Sequence, residues 1–171
     1  MNIETYIRDI KDFPKKGIVF KDITPLLSDK DAFVKAQQTL QNLIPKDVTI
    51  DKVVGIEARG FFFAPLLAKE LNAGFVPVRK PNKLPHTTIS QEYALEYGTD
   101  VLEIHKDAIQ PGDNVLLHDD VLATGGTAQA VVKLIEKLGG RVVQCNFLIQ
   151  LSFLNGKEKL PSISVASAIT Y

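Results

Sequence analysis

The stretch Val115–Thr127, VLLHDDVLATGGT, constrains this chain more than any other. Val115, Leu116 and Leu117 form an apolar run just after a Pro111–Gly112–Asp113–Asn114 turn signal. A short apolar run bounded by a turn suits a strand buried on both faces of a parallel sheet. Asp119 and Asp120 stand where that strand is expected to end. Ala123, Thr124, Gly125, Gly126 and Thr127 turn the chain behind them, and Ala128 to Leu138 carries a helical apolar pattern. Strand, turn and helix in this order predict an α/β unit.

The order has a chemical use. A helix N-terminus presents unpaired N–H groups and partial positive charge, which hold a phosphate. Gly125 and Gly126 let backbone curl around an anion without a Cβ in the way. Thr124 and Thr127 add hydroxyl donors. Two carboxylates beside such a cradle repel a second phosphate but accept hydrogen bonds from sugar hydroxyls. The ligand expected is a phosphate with a diol beside it, as in ribose 5-phosphate. Taken singly, a Thr-Gly-Gly-Thr turn is a connector and adjacent acids are a solvated loop; the combination in this context is what carries the reading. No Gly-x-Gly-x-x-Gly follows a strand here, and no Lys-Ser/Thr follows the glycines, so neither a dinucleotide fingerprint nor a Walker loop is present.

Charge and cysteine usage narrow the class. Lys+Arg and Asp+Glu are both 20 among 171 residues, so no basic excess argues for nucleic acid or an anionic membrane. The apolar runs fall far short of the ~20 residues that span a bilayer. MNIETYIRDI lacks a charged n-region and an apolar h-region, so no secretory signal is read. Cys145 stands alone, which excludes an internal disulfide and fits a reducing cytoplasm. The length suits a single domain over residues 1–171.

The rest of the chain reads in order. Ile3 to Ile10 is expected to be a short helix, ended by Phe13–Pro14. Gly17 to Leu27, GIVFKDITPLL, reads as a loop, with Val19 and Phe20 either tucked onto the core or forming a wall for a flat heterocycle. Ser28 with Asp31 resembles a capping box for a helix ending at Pro45. Lys52 to Ile56 is a second buried strand, followed by Glu57–Ala58–Arg59–Gly60 and a helix over Phe61 to Leu71, which Pro65 should kink. Both strand–turn–helix units should open onto one crevice at the carboxyl ends of the strands. Arg59 is there a surface residue, an ion-pair member or a ligand cation. Gly74 to Val78 is a third strand. Arg79 to His86, RKPNKLPH, is either a solvated loop or a mobile lid whose cations meet an anion. Thr87 to Leu95 and Thr99 to His105 read as an antiparallel hairpin, Arg141 to Leu151 as a long apolar strand, and Ser162 to Ile169 as the last one. His118 in a buried strand reads as a hydrogen-bonded core residue.

Val115–Thr127 resembles the 5-phosphoribosyl 1-pyrophosphate (PRPP) signature of the type I phosphoribosyltransferases. GIVFKDITPLL, EARG, RKPNKLP and YALEYG resemble, in order and spacing, segments of the members that act on adenine. The resemblance covers nearly the whole chain. It departs at Lys21, where Arg is usual, at Asn82, where Gly is usual, at Gln150, where Glu is expected, and at His118, where a small apolar residue is normal. Asn82 still tolerates a positive φ.

The resemblance implies a central, mostly parallel sheet flanked by helices, with a flexible lid loop and a small hood from about residues 1–30 and the C-terminal segment. It implies purine salvage: adenine and PRPP giving AMP and pyrophosphate through an oxocarbenium-like sugar. Ala123, Thr124, Gly125, Gly126 and Thr127 would hold the phosphate, and Asp119 and Asp120 the ribose. Arg59, Arg79, Lys80 and Lys83 would meet the pyrophosphate, partly across a dimer interface, with Arg59 acting as a catalytic cation. Val19, Phe20, the Lys21 backbone and Leu151 would contact adenine. Glu96 would be the catalytic acid/base, with Tyr97 closing over the site. Mg²⁺ is implied, held by substrate and water rather than by the protein, and so is a homodimer. Neither nucleic acid nor membrane is an expected partner. Another purine, such as hypoxanthine or xanthine, remains open on the residues alone. A PRPP-sensing regulator would need a nucleic-acid surface that the neutral charge argues against.

Overall fold

The computed structural model describes residues 1–94 and 98–171. The chain divides into two compact units, Met1–Thr39 and Leu40–Tyr171.

In the first unit the expected helix at Ile3 to Ile10 shrinks to a single 3-10 turn, Ile3–Tyr6. The residues after it form β1 (Arg8–Lys11), which pairs antiparallel with β2 (Val19–Asp22) inside the expected loop. Eight residues are too few to sustain an isolated helix. The ladder brings cross-strand ion pairs instead, Arg8–Asp22 at 3.3 Å and Lys21–Asp9 at 2.7 Å. Next come α1 (Thr24–Ser28) and α2 (Lys30–Asn42). The cap of α2 is Asp29, not a Ser28/Asp31 box. Asp29 Oδ1 accepts from the Asp31 and Ala32 N–H groups at 3.1 and 2.9 Å, while Ser28 closes α1 by donating to the Pro25 carbonyl.

The second unit is built on β3 (Lys52–Ile56), β4 (Gly74–Val78), β5 (Thr88–Ala94), β6 (Thr99–His105), β7 (Asn114–Leu122), β8 (Arg141–Gln150) and β9 (Ser164–Thr170). Five of these form a parallel sheet in the order β4-β3-β7-β8-β9. The β3–β4 crossover contains α3 (Ala64–Glu70), and the β7–β8 crossover contains α4 (Gly126–Lys137). These crossovers run in opposite directions along the sheet, so right-handed connections put α3 and α4 on opposite faces.

The helix expected from Phe61 starts later. Arg59–Phe62 is a 3-10 turn, and Pro65 lies in the first turn of α3, where its missing N–H costs nothing, so it starts the helix rather than kinking it. Gly55 makes room for this approach, since a Cβ there would stand 2.8 Å from the Ala64 Cβ. On the other face Val131, Leu134 and Ile135 of α4 join Val54, Ile56, Leu117, Cys145 and Phe147 in the core.

β7 is longer than its apolar run. Asp119, Val121 and Leu122 pair with Phe147, Ile149 and Gln150 of the ten-residue β8. The ladder therefore carries both acids inside the strand rather than past its end. β5 and β6 form the expected hairpin, with Thr88 opposite His105 and Ala94 opposite Thr99. Lys137 of α4 ties to it through Gln91 Oε1 at 2.9 Å. Glu96 and Tyr97 lie outside the described residues.

Candidate active site

β3 and β7 are parallel neighbours, but the chain leaves β3 toward β4 and β7 toward β8. Such a switch point parts the carboxyl ends of the two strands into a crevice. The loop after β3 and the end of β7 meet there. Gly60 runs so close to β7 that a Cβ would stand 3.0 Å from the His118 carbonyl and 3.1 Å from Asp119 Oδ1. The preceding Glu57–Ala58 peptide is cis.

This approach puts Arg59 Nε 2.7 Å from Asp120 Oδ2. That oxygen is buried and, among the described residues, lacks an aligned hydrogen bond, so the contact is an off-axis ion pair. Asp119 Oδ1 accepts the Asp120 N–H at 2.9 Å. Burial raises the pKa of both carboxyls. The charge of Asp120 raises Asp119 further, whereas Arg59 opposes the rise at Asp120. Arg59 favours the charged form of both acids, and its influence is larger at Asp120. Carboxylate oxygens so placed can accept from sugar hydroxyls.

Behind the acids the chain turns into α4. Asp119, Leu122, Ala123, Thr124, Gly125, Thr127, Ala128 and Phe147 line a cavity of about 70 Å³. Gly125 has φ +80° and caps α4. A Cβ on Gly125 would overlap the Gly156 carbonyl, and one on Gly156 would overlap the Ala123 carbonyl. Two backbones pass here at a distance only glycine allows. The turn lines the cavity at the start of α4, where a helix leaves its first N–H groups without helical partners.

The basic segment gathers on Glu57. Arg79 Nη2 and Lys83 Nζ donate to Oε1, each at 3.1 Å, and the Lys80 N–H donates to Oε2 at 2.9 Å. Burial pulls the Glu57 pKa up, but hydrogen bonds from the Lys80 N–H, Arg79 and Lys83 outweigh it and hold it at about 2. Asn82 takes φ +65°, so Asn serves this turn. Lys80 Nζ pairs with Asp100 Oδ2 at 2.8 Å.

Val19, Phe20 and Lys21 lie in β2 of the first unit, where the Phe20 ring meets Phe13 edge-on at 5.2 Å. Leu151 follows β8 and donates its N–H to the Leu122 carbonyl at 2.9 Å. His118 is a core residue. Its Nδ1 stands 3.1 Å from Asn146 Oδ1, and Asn146 donates onward to the Leu40 carbonyl at 3.2 Å. Burial pushes the His118 pKa down to about 4, which keeps the ring neutral. With an amide oxygen as partner, Nδ1 is the nitrogen assigned the proton.

The structure thus joins Arg59 to Asp120, and Arg79, Lys80 and Lys83 to one carboxylate. Sequence reading missed Glu57, Asp100, Phe147 and Gly156. Only Glu57, inside the EARG turn, and Gly156, in an Asn-Gly turn, carried a local signal. Among the described residues no three His, Cys, Asp or Glu side chains gather as a metal site.

Residues 27–166 match the phosphoribosyl transferase domain family. The adenine phosphoribosyltransferase of Flavobacterium johnsoniae is 63% identical over 171 residues, covering 100% of both chains. That of Christiangramia forsetii is 61% identical, covering 100% of this chain and 99% of the relative. The crystal structure of the Thermoanaerobacter pseudethanolicus adenine phosphoribosyltransferase superposes with a TM-score of 0.96 at 52% identity, covering 99% of this chain and 98% of that one. The Saccharomyces cerevisiae enzyme, solved with adenine and an imino-altritol bisphosphate, superposes with a TM-score of 0.91 at 40% identity, covering 97% of this chain and 96% of that one.

Proposed function

This chain belongs to the phosphoribosyl transferase domain family, and from that premise we propose that it joins adenine to the ribose 5-phosphate of PRPP, releasing pyrophosphate and forming AMP in purine salvage. The observation that carries the reading is the continuity of the Ala123–Thr127 turn with Asp119 around one cavity. It is a phosphate cradle with a carboxylate at its mouth, at a sheet switch point.

In this reading the N–H groups and hydroxyls of the turn bind the 5-phosphate. Asp119 and Asp120 accept from the ribose hydroxyls, and their negative charge favours the ring as the bond to pyrophosphate stretches. Arg59, fixed by Asp120, and the cations Arg79, Lys80 and Lys83 stabilise charge on the leaving group. Val19, Phe20 and the Lys21 backbone are assigned to the base, as is Leu151. Glu96 is assigned the proton at the purine five-membered ring, and Tyr97 the closure that excludes water.

The oxygen donors of this site, the carboxylates of Asp119 and Asp120, fit a magnesium ion held mainly by substrate oxygens and water. When bound on the pyrophosphate, Mg²⁺ supplies charge neutralisation at the leaving group. A homodimer and a cytoplasmic setting belong to the same proposal. Among the described residues no helix is long and apolar enough to cross a membrane.

Labelled adenine incubated with PRPP and Mg²⁺ should yield labelled AMP, with hypoxanthine and xanthine competing poorly. Equal use of the three bases would overturn the adenine assignment, and no nucleotide from any of them would overturn the transferase reading.

A further inference from the structure

The hairpin places Tyr93 directly opposite Asp100. Asp100 Oδ2 takes the Lys80 ammonium at 2.8 Å and the Tyr93 hydroxyl at 3.3 Å, while Oδ1 accepts the Val101 N–H at 2.8 Å. Tyr93 is itself anchored on the phosphate turn. Its ring stands 3.7 Å from where a Gly126 Cβ would be. The carboxylate is therefore the fixed partner of this ion pair. The Lys80 side chain, 54% exposed, is the movable one, although Glu57 pins its backbone N–H. A lysine held at its backbone and tethered at its tip can swing without moving the chain.

We infer that Asp100 is a positioning residue for pyrophosphate: it holds the Lys80 ammonium at the hairpin and competes with the leaving group for it. This rests on the assignment of Lys80 to pyrophosphate. Pyrophosphate must draw Lys80 away from Asp100, and Asp100 aids product release by taking the ammonium back. Glu57 does not share this role, because it also carries the segment's backbone and is only 11% exposed. Exposed ion pairs are weak, so the competition shifts pyrophosphate affinity by roughly two- to fivefold.

Asp100→Asn keeps the acceptor for the Val101 N–H and removes the charge. Calorimetry with magnesium pyrophosphate should show binding roughly two- to fivefold tighter, with product inhibition strengthened by the same factor. Tyr93→Phe, which loosens the carboxylate, should move both in the same direction by less. Lys80→Gln should weaken pyrophosphate binding, and Asp100→Asn should then have no further effect. Unchanged or weaker binding in Asp100→Asn, while Lys80→Gln still weakens it, overturns the role of Asp100 alone. The same tightening in the Lys80→Gln background reduces it to a general charge effect and also overturns it. Unchanged binding in Lys80→Gln removes Lys80 from pyrophosphate and takes the inference with it.

Discussion

Arg59 Nε lies 2.7 Å from Asp120 Oδ2, which ties the loop after β3 to the end of β7. One contact thus joins a cation assigned to pyrophosphate with an acid assigned to ribose. It also opposes the protonation that burial favours at Asp120. Arg59→Gln should lower kcat/KM for PRPP by about 10²- to 10³-fold, the usual cost of losing a donor aimed at developing charge. Steady-state kinetics with PRPP varied checks this, and a change of less than threefold would remove Arg59 from the chemistry. Asp120→Asn should also weaken PRPP binding, because it removes the charge paired with Arg59 and a ribose acceptor.

The crossing of Gly125 and Gly156 gives a second expectation. Gly156→Ala drives a methyl group into the Ala123 carbonyl. It should destabilise the protein by more than about 2 kcal/mol and weaken PRPP binding, since backbone itself must move. Gly112→Ala is the control. Gly112 has φ +91° with nothing near its Cβ position, so it should cost only about 1 kcal/mol and leave binding intact. Thermal melts with and without PRPP separate the two variants, and equal costs would refute the crossing.

His118 should give the protein an acid-sensitive window. Its pKa falls from 6.5 to about 4 on folding, so between those values the unfolded chain binds a proton that the folded chain refuses. Stability then falls as pH drops from about 6.5 to 4, by about 3 kcal/mol in all. His118→Val removes this dependence, at a constant cost of about 1–3 kcal/mol for the stranded Asn146 amide. Denaturant melts of both proteins from pH 7 to 4 test it through their difference, in which the opposite slopes of Asp119 and Asp120 cancel. Glu57, lowered from 4.5 to about 2, loses its contribution only as pH falls below about 4.5, at the acid edge of this window. Parallel profiles would mean that His118 is solvated.

Glu96→Gln should lower kcat by about 10²- to 10⁴-fold while leaving PRPP affinity nearly unchanged, as expected of a group that handles a proton. Full turnover in that variant would hand the proton to another residue.

Much of the site was legible because strand–turn–helix chemistry is local. The paired acids, the glycine turn, the EARG turn and the basic segment each announced themselves within a dozen residues. Local pattern failed where a partner strand decided the outcome. Arg8–Lys11 became a strand because β2 offered it a ladder and two counter-charges. Asp119 and Asp120 stayed within β7 because β8 continued beside them.

By itself the sequence determined a mostly parallel sheet and the strand–turn–helix units built on β3 and β7. Periodicity, glycine and charge act over a few bonds and need no distant partner. Only the tertiary structure decided that Arg59 meets Asp120, that Glu57 gathers Arg79, Lys80 and Lys83, that Gly156 crosses Gly125, and that Asp100 holds Lys80. Each of those pairings joins segments 20 or more residues apart, and their energies depend on distance and burial, which exist only once the sheet has formed.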